Sequence, residues 1–167
     1  EQRALEEGLS QKEKFELKDY RGDAGKFDRL VSIGMFEHVG TPNCKRFWRK
    51  AFQKLSDEGV GCIHTNGRVT SPCGTNPWIN KYIPLGVFIP TMSEVKGNME
   101  HNDLYVSDVE VLRLHYAKTL NRWYKNLRKN EREIEKIYDG KFCSMWKYYL
   151  NSPEVSSRYY QHVVFQF

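Results

Sequence analysis

Three side chains in this 167-residue chain are suited to moving a proton or holding a small anion. Glu37 follows an apolar run, within Arg29-Leu30-Val31-Ser32-Ile33-Gly34-Met35-Phe36-Glu37-His38. His64 ends a second run, Val60-Gly61-Cys62-Ile63-His64, directly before Thr65-Asn66-Gly67. Tyr116 opens a long periodic stretch, Leu114-His115-Tyr116-Ala117-Lys118-Thr119-Leu120. A carboxylate, an imidazole and a phenol can together accept and donate hydrogen bonds around a small anion or a transferring proton. Each also has an ordinary structural reading: a carboxylate near a helix N-terminus, a core histidine and a packed tyrosine. What favours chemistry is their shared position at the ends of separate elements, on one rim of a parallel sheet, where open α/β folds bind ligands.

The elements that would position them read in order. Residues 1–12 carry weak helical periodicity, and 15–18 alternates as a short strand does. A buried strand at 29–33 runs into a glycine-containing turn. Asn43 caps a helix to about Leu55, with Phe47, Trp48, Ala51, Phe52 and Leu55 on its apolar face. A second buried strand covers 60–64. Strand, helix and strand at this spacing predict a parallel sheet in a single α/β domain.

Residues 66–90 hold four of the six prolines and read as a long irregular insert. Its Trp78, Tyr82, Leu85, Val87 and Phe88 line an apolar pocket, touch a membrane or simply pack the loop down. A helix starts at Thr91 or Ser93 and reaches about Met99, and 104–109 looks like a strand. A helix from Leu114 to Leu127 follows, then another from Glu131 to Leu150 broken near Gly140, with Phe142, Trp146 and Tyr149 as core. Gln161 to Phe167 closes as a strand.

Composition narrows the function classes. The net charge of +5 permits an anionic partner such as a phospholipid surface. The basic clusters at Lys45–Lys50 and Arg122–Arg132 sit on amphipathic helices, so they read as solvated faces and not as a nucleic-acid interface. The longest apolar run, Ile83 to Ile89, is fenced by Pro84 and Pro90 and is too short to span a bilayer. Cys44, Cys62, Cys73 and Cys143 lack metal-ligand spacing, so no metal is expected, and they read as reduced cytosolic thiols with Cys62 buried and inert. No glycine-rich phosphate loop and no nucleophile elbow is present.

Several longer segments carry a family resemblance: FDRLVSIGMFEHVG (27–40), IHTNG (63–67), NPWINKYI (76–83), SDVEVLRLHYAKTLNRWY (107–124), MWKYYLNS (145–152) and HVVF (162–165). In this order the chain resembles the cyclopropane-fatty-acyl-phospholipid synthase and mycolic acid cyclopropane synthase family of S-adenosylmethionine-dependent methyltransferases. The resemblance implies a class I, Rossmann-like methyltransferase fold, with a mostly parallel sheet and helices on both faces. It implies methylene transfer to the cis double bond of an unsaturated phospholipid acyl chain, closing a cyclopropane ring, with bicarbonate taking the proton. The implied bicarbonate ligands are Glu37, His64, Tyr116 and the backbone carbonyl of Asn66, where the family usually has isoleucine. Tyr20 and Arg21 fall where the family contacts the adenine, and Gly34 where it passes the methionine part of the cofactor.

Against that pattern, the family's first two strands, its glycine-rich cofactor loop and its bicarbonate-site cysteine lie before Glu1. Residues 1–167 are therefore read as the C-terminal part of one methyltransferase domain, with the 15–18 strand deprived of its neighbours. This chain alone is then expected to bind S-adenosylmethionine poorly and to be inactive. Pro153 stands where many members carry a cysteine, and Ser156-Ser157 where they carry glycine and phenylalanine, which leaves the packing before the last strand open. The expected partner is membrane phospholipid, reached by peripheral contact from the cytoplasmic face, with a homodimer left open. The alternatives are an acyl-chain or amine methyltransferase of the same superfamily, and a non-catalytic lipid-binding remnant.

Overall fold

The computed structural model describes residues 1–83 and 87–167, so Leu85 lies outside the described residues. Helices α1 (Gln2–Glu6), α2 (Cys44–Lys54), α3 (Pro77–Tyr82), α4 (Met92–Glu100), α5 (His115–Lys129), α6 (Glu131–Ile137) and α7 (Gly140–Tyr159) surround a four-stranded sheet. The strands are β1 (Phe27–Ile33), β2 (Leu55–Arg68), β3 (Glu110–Val111) and β4 (His162–Gln166), in the order β1-β2-β4-β3. β1 and β2 run parallel, as the strand-helix-strand spacing requires, with Val31 beside Cys62 and Ile33 beside His64. β4 runs antiparallel to both β2 and β3, so the described sheet is mixed.

β2 is longer than the pattern suggests. It pairs at Leu55 with Phe27, slips, and pairs again from Val60. Gly59 sits inside that slip, where a Cβ would lie 2.9 Å from the Ser56 carbonyl oxygen. The strand then continues through His64 to Arg68, because β4 supplies a second ladder, with Thr65 opposite Phe165. His64, Thr65 and Asn66 therefore belong to the strand and do not follow its end. The insert is less irregular than expected, since α3 forms within it, opened by Pro77 and capped by Asn76.

Two stretches with strand-like alternation pair with nothing among the described residues. Residues 15–18 are extended, with Phe15 and Leu17 exposed. In 104–109, Leu104 and Val106 rest on the core while Tyr105 is 96% exposed. Alternation reports which side chains face inward; a strand also needs a neighbour with free backbone groups, and here none is in register.

The core is built on the rings of α2 and the turn after β1. Phe36, Phe47 and Trp48 are buried with Ile63, Val95 and Met99, and the Phe36 ring lies 5.0 Å from Phe47 and 5.3 Å from Trp48. Burying each such ring contributes about 2–3 kcal/mol. α4 is started by a capping box: the Glu94 N–H donates to Thr91 Oγ1 at 3.2 Å, and the Thr91 N–H donates to Glu94 Oε2 at 2.8 Å.

α5 and α7 pack together through Ala117, Leu120, Cys143 and Leu150. The break expected near Gly140 falls at Tyr138-Asp139, where the Asp139 carboxylate accepts from the Phe142 N–H at 2.7 Å and starts α7. α7 runs past Leu150 and through Pro153, whose missing N–H leaves the Tyr149 carbonyl without its helical partner.

Candidate active site

β1 ends at Gly34, whose N–H donates to the His64 carbonyl at 3.0 Å. Gly34 adopts φ +62°, a conformation that suits glycine and turns the chain into a single helical turn over Phe36–His38. Phe36 anchors that turn in the aromatic core, which fixes Glu37 in a position only 3% exposed. The Phe88 N–H donates to the Glu37 carbonyl at 2.9 Å and ties the 87–90 segment to the same turn.

The Glu37 carboxylate is held by neutral donors. Thr65 Oγ1 donates to Oε2 at 3.0 Å, and Asn66 Nδ2 donates to Oε1 at 2.8 Å, with the Asn66 N–H at 3.4 Å. The Asn66 carbonyl lies 3.1 Å from the same Thr65 hydroxyl, whose single proton faces both it and the carboxylate. Asn66 therefore enters the site through its side chain, where the resemblance implies only its backbone carbonyl. Thr65 was not singled out, and its only sequence signal is its place between His64 and Asn66.

Tyr116, at the start of α5, stands beside this group. Burial pushes its hydroxyl up to about 12, helped by Tyr149 and by the Glu37 charge and opposed by the Asn66 side chain. The phenol is a neutral donor throughout the ordinary pH range. The structure thus brings Glu37, Asn66 and Tyr116 together. His64 lies next along β2 without a hydrogen bond to any of the three, and its Nδ1 is buried with no partner among the described residues. A buried ring nitrogen with no partner leaves a polar atom for a small ligand to satisfy.

Asn66 and Tyr116 border a cavity of about 470 Å³, lined mainly by apolar and aromatic side chains, among them Trp78, Ile83, Val87 and Tyr149. Trp78 and Val87 thus line a pocket, one of the three roles that the sequence leaves open. Phe88 packs edge-on to Phe36 at 6.0 Å instead, and Tyr82 is half-exposed against Trp78. Tyr149 faces the cavity, and Cys62 is half-buried where full burial is expected.

A second cleft, of about 480 Å³, runs along β1 and includes Tyr20, Ser32, Ile33 and Met35. Tyr20 packs edge-on to Phe47 at 5.9 Å. Arg21 turns away into an ion pair with Asp19, to which its Nε–H donates at 2.9 Å. The Ser32 hydroxyl is buried without a partner among the described residues. An unpaired hydroxyl and an aromatic side chain lining this cleft fit a polar cofactor passing the end of β1. No cluster of metal-ligating side chains and no helix long and apolar enough to cross a membrane occurs among the described residues.

Comparison with known proteins gives a consistent result. The sequence profile of the mycolic acid cyclopropane synthetase family matches residues 1–167. A probable fatty acid methyltransferase of Pseudomonas putida is 34% identical over 157 residues, covering 89% of this chain and 40% of the relative. A cyclopropane-fatty-acyl-phospholipid synthase of Escherichia coli K12 is 35% identical over 136 residues, covering 81% of this chain and 35% of the relative. The chain thus spans well under half the length of these relatives. Among solved structures, a cyclopropane synthase of Mycobacterium tuberculosis superposes with a TM-score of 0.80 at 24% identity, covering 99% of this chain and 65% of that one, and it shares the class I methyltransferase fold. The chain belongs to the mycolic acid cyclopropane synthetase family, a group of S-adenosylmethionine-dependent methyltransferases.

Proposed function

We propose that the site transfers a methylene group from S-adenosylmethionine to the cis double bond of an unsaturated phospholipid acyl chain. The observation that carries this reading is a buried carboxylate, Glu37, held by Thr65 and Asn66 near the neutral phenol of Tyr116, with Asn66 and Tyr116 bordering an apolar cavity. S-adenosylmethionine, when bound against Tyr20, Ser32 and Gly34, supplies the electrophilic methyl group. Bicarbonate, when bound by Tyr116, His64 and the Asn66 backbone, supplies a base close to Glu37.

The chain's own groups account for the rest. The cavity walls exclude water from a reactive cation on the acyl chain. The faces of Tyr116 and Tyr149 and the fixed charge of Glu37 stabilise that cation. The Tyr116 hydroxyl keeps its proton at neutral pH and donates a hydrogen bond. Access to lipid is served by α5, which carries five cations and no carboxylate and leaves Trp123 half-exposed, a composition suited to a peripheral anionic membrane surface.

A methyl branch on the acyl chain is the second reading, favoured by the fatty acid methyltransferase among the relatives. Incubating a complete enzyme that carries this segment with isotopically labelled S-adenosylmethionine and vesicles of unsaturated phosphatidylglycerol, followed by fragmentation of the acyl products, separates ring from branch. In that complete enzyme, Glu37→Gln and Tyr116→Phe are expected to lower kcat far more than cofactor affinity. Equal losses in both would assign these residues a structural role.

A further inference from the structure

Arg68 is 5% exposed at the end of β2, a degree of burial that arginine tolerates only when its charge is answered. Its Nε–H donates to the Ile89 carbonyl at 2.9 Å, and Nη1 contacts the Cys73 thiol. No carboxylate pairs with it among the described residues. Of the five N–H donors of a guanidinium, about three are left over. Arg68 lines the same cavity as Asn66 and Tyr116. Its cross-strand partner, His162, lines it too, and burial together with the Arg68 charge pushes that imidazole down, which favours its neutral form. The cavity therefore holds one buried cation among apolar and aromatic walls, with donors that match a planar or tetrahedral oxyanion.

Resting on the reading that an acyl chain fills this cavity, we propose that Arg68 binds the acidic group of the substrate, a carboxylate or a phosphate, and so sets how far the chain is inserted. Arg68 and Asn66 project from the same face of β2, about 7 Å apart along the strand. The anion is thereby held at a fixed offset from the Glu37–Asn66–Tyr116 group, and Arg68 selects which carbon of the chain meets it. The residue is a specificity determinant that takes no part in the proton chemistry.

The test is calorimetric binding to the full chain, without S-adenosylmethionine, of oleate and of oleyl alcohol, which share a chain and differ in head charge. Oleate should bind about tenfold more tightly than the alcohol. Arg68→Gln should abolish that difference, and Arg68→Lys should keep part of it. Equal binding of acid and alcohol by the parent protein overturns the proposal whether or not the variants fold. Lysophosphatidylglycerol binding more tightly than oleate identifies a lipid phosphate as the natural anion, and the reverse order identifies a free carboxylate. Inorganic phosphate binding as tightly as either amphiphile would mark a free-anion site and overturn it. If neither oleate nor the alcohol binds, the acyl reading of the cavity fails together with this proposal. If both bind alike, only the role of Arg68 fails.

Discussion

Thr65→Val is the most direct probe of how Glu37 is held. The two side chains are nearly the same shape and both suit a strand, so the change removes a hydroxyl and leaves packing and backbone preference largely intact. Thr65 is fully buried, and its Oγ1 donates to Glu37 Oε2 at 3.0 Å. Oε1 keeps both donors from Asn66. The loss is therefore one hydrogen bond to a charged acceptor that water cannot replace, worth roughly 1.5–3 kcal/mol. In a chain of this size, a loss of about 2 kcal/mol lowers Tm by roughly 4–8 °C. Urea unfolding of the full chain, followed by circular dichroism, measures it. In a Glu37→Gln background the same substitution should cost only about 1 kcal/mol, the value for a neutral acceptor, and the difference is the coupling between the two side chains. A loss below about 0.5 kcal/mol, or equal losses in the two backgrounds, would refute the claim that Thr65 holds the carboxylate.

Gly67→Ala should destabilise the chain by about 1–3 kcal/mol in the same assay, because a Cβ there would lie 2.3 Å from ring carbons of the fully buried Phe165 and 3.3 Å from the Pro90 carbonyl oxygen. Thr91→Ala should cost about 1 kcal/mol through loss of the cap on α4. Tyr116 keeps its proton in the folded state up to about 12, whereas the unfolded chain loses it near 10, so the folded state binds more protons in between. That contribution is complete below pH 10 and disappears as pH rises towards 12. Tyr116→Phe should therefore flatten the stability profile across this alkaline window, and a profile identical to the parent's would contradict the burial of the phenol.

Much of this architecture is legible from residue order. α2 and α5 follow from apolar spacing, α4 from a start at Thr91 or Ser93, and the parallel β1–β2 pair from strand-helix-strand spacing. What pattern could not give is pairing. Residues 15–18 and 104–109 alternate as well as β1 does, yet a ladder depends on a partner distant in sequence. The length of β2 is equally hidden, because its last residues are strand only through β4. In the site, Glu37, His64 and Tyr116 attract attention as titratable side chains near the ends of elements, whereas Asn66 enters only through the family resemblance and for its backbone carbonyl. Thr65 attracts none, since a threonine in a strand is ordinary, and its importance comes from the carboxylate that another element places against it.

The connectivity also orders events as the chain folds. α5, α6 and α7 are consecutive and contact mainly one another, so they can assemble soon after they are made. The β2–β4 ladder joins Thr65 to Phe165 across about 100 residues, and that loop closes against a larger entropic penalty. The cavity lies across this seam, with Asn66 and Arg68 on the late ladder and Tyr116 and Tyr149 on the early helices. Its walls meet only when the last strand docks. A nascent chain released before Phe165 pairs would present a formed helical layer with no pocket, and sequence changes at Val164 to Gln166, the part of β4 that does not line the cavity, should slow maturation of the site.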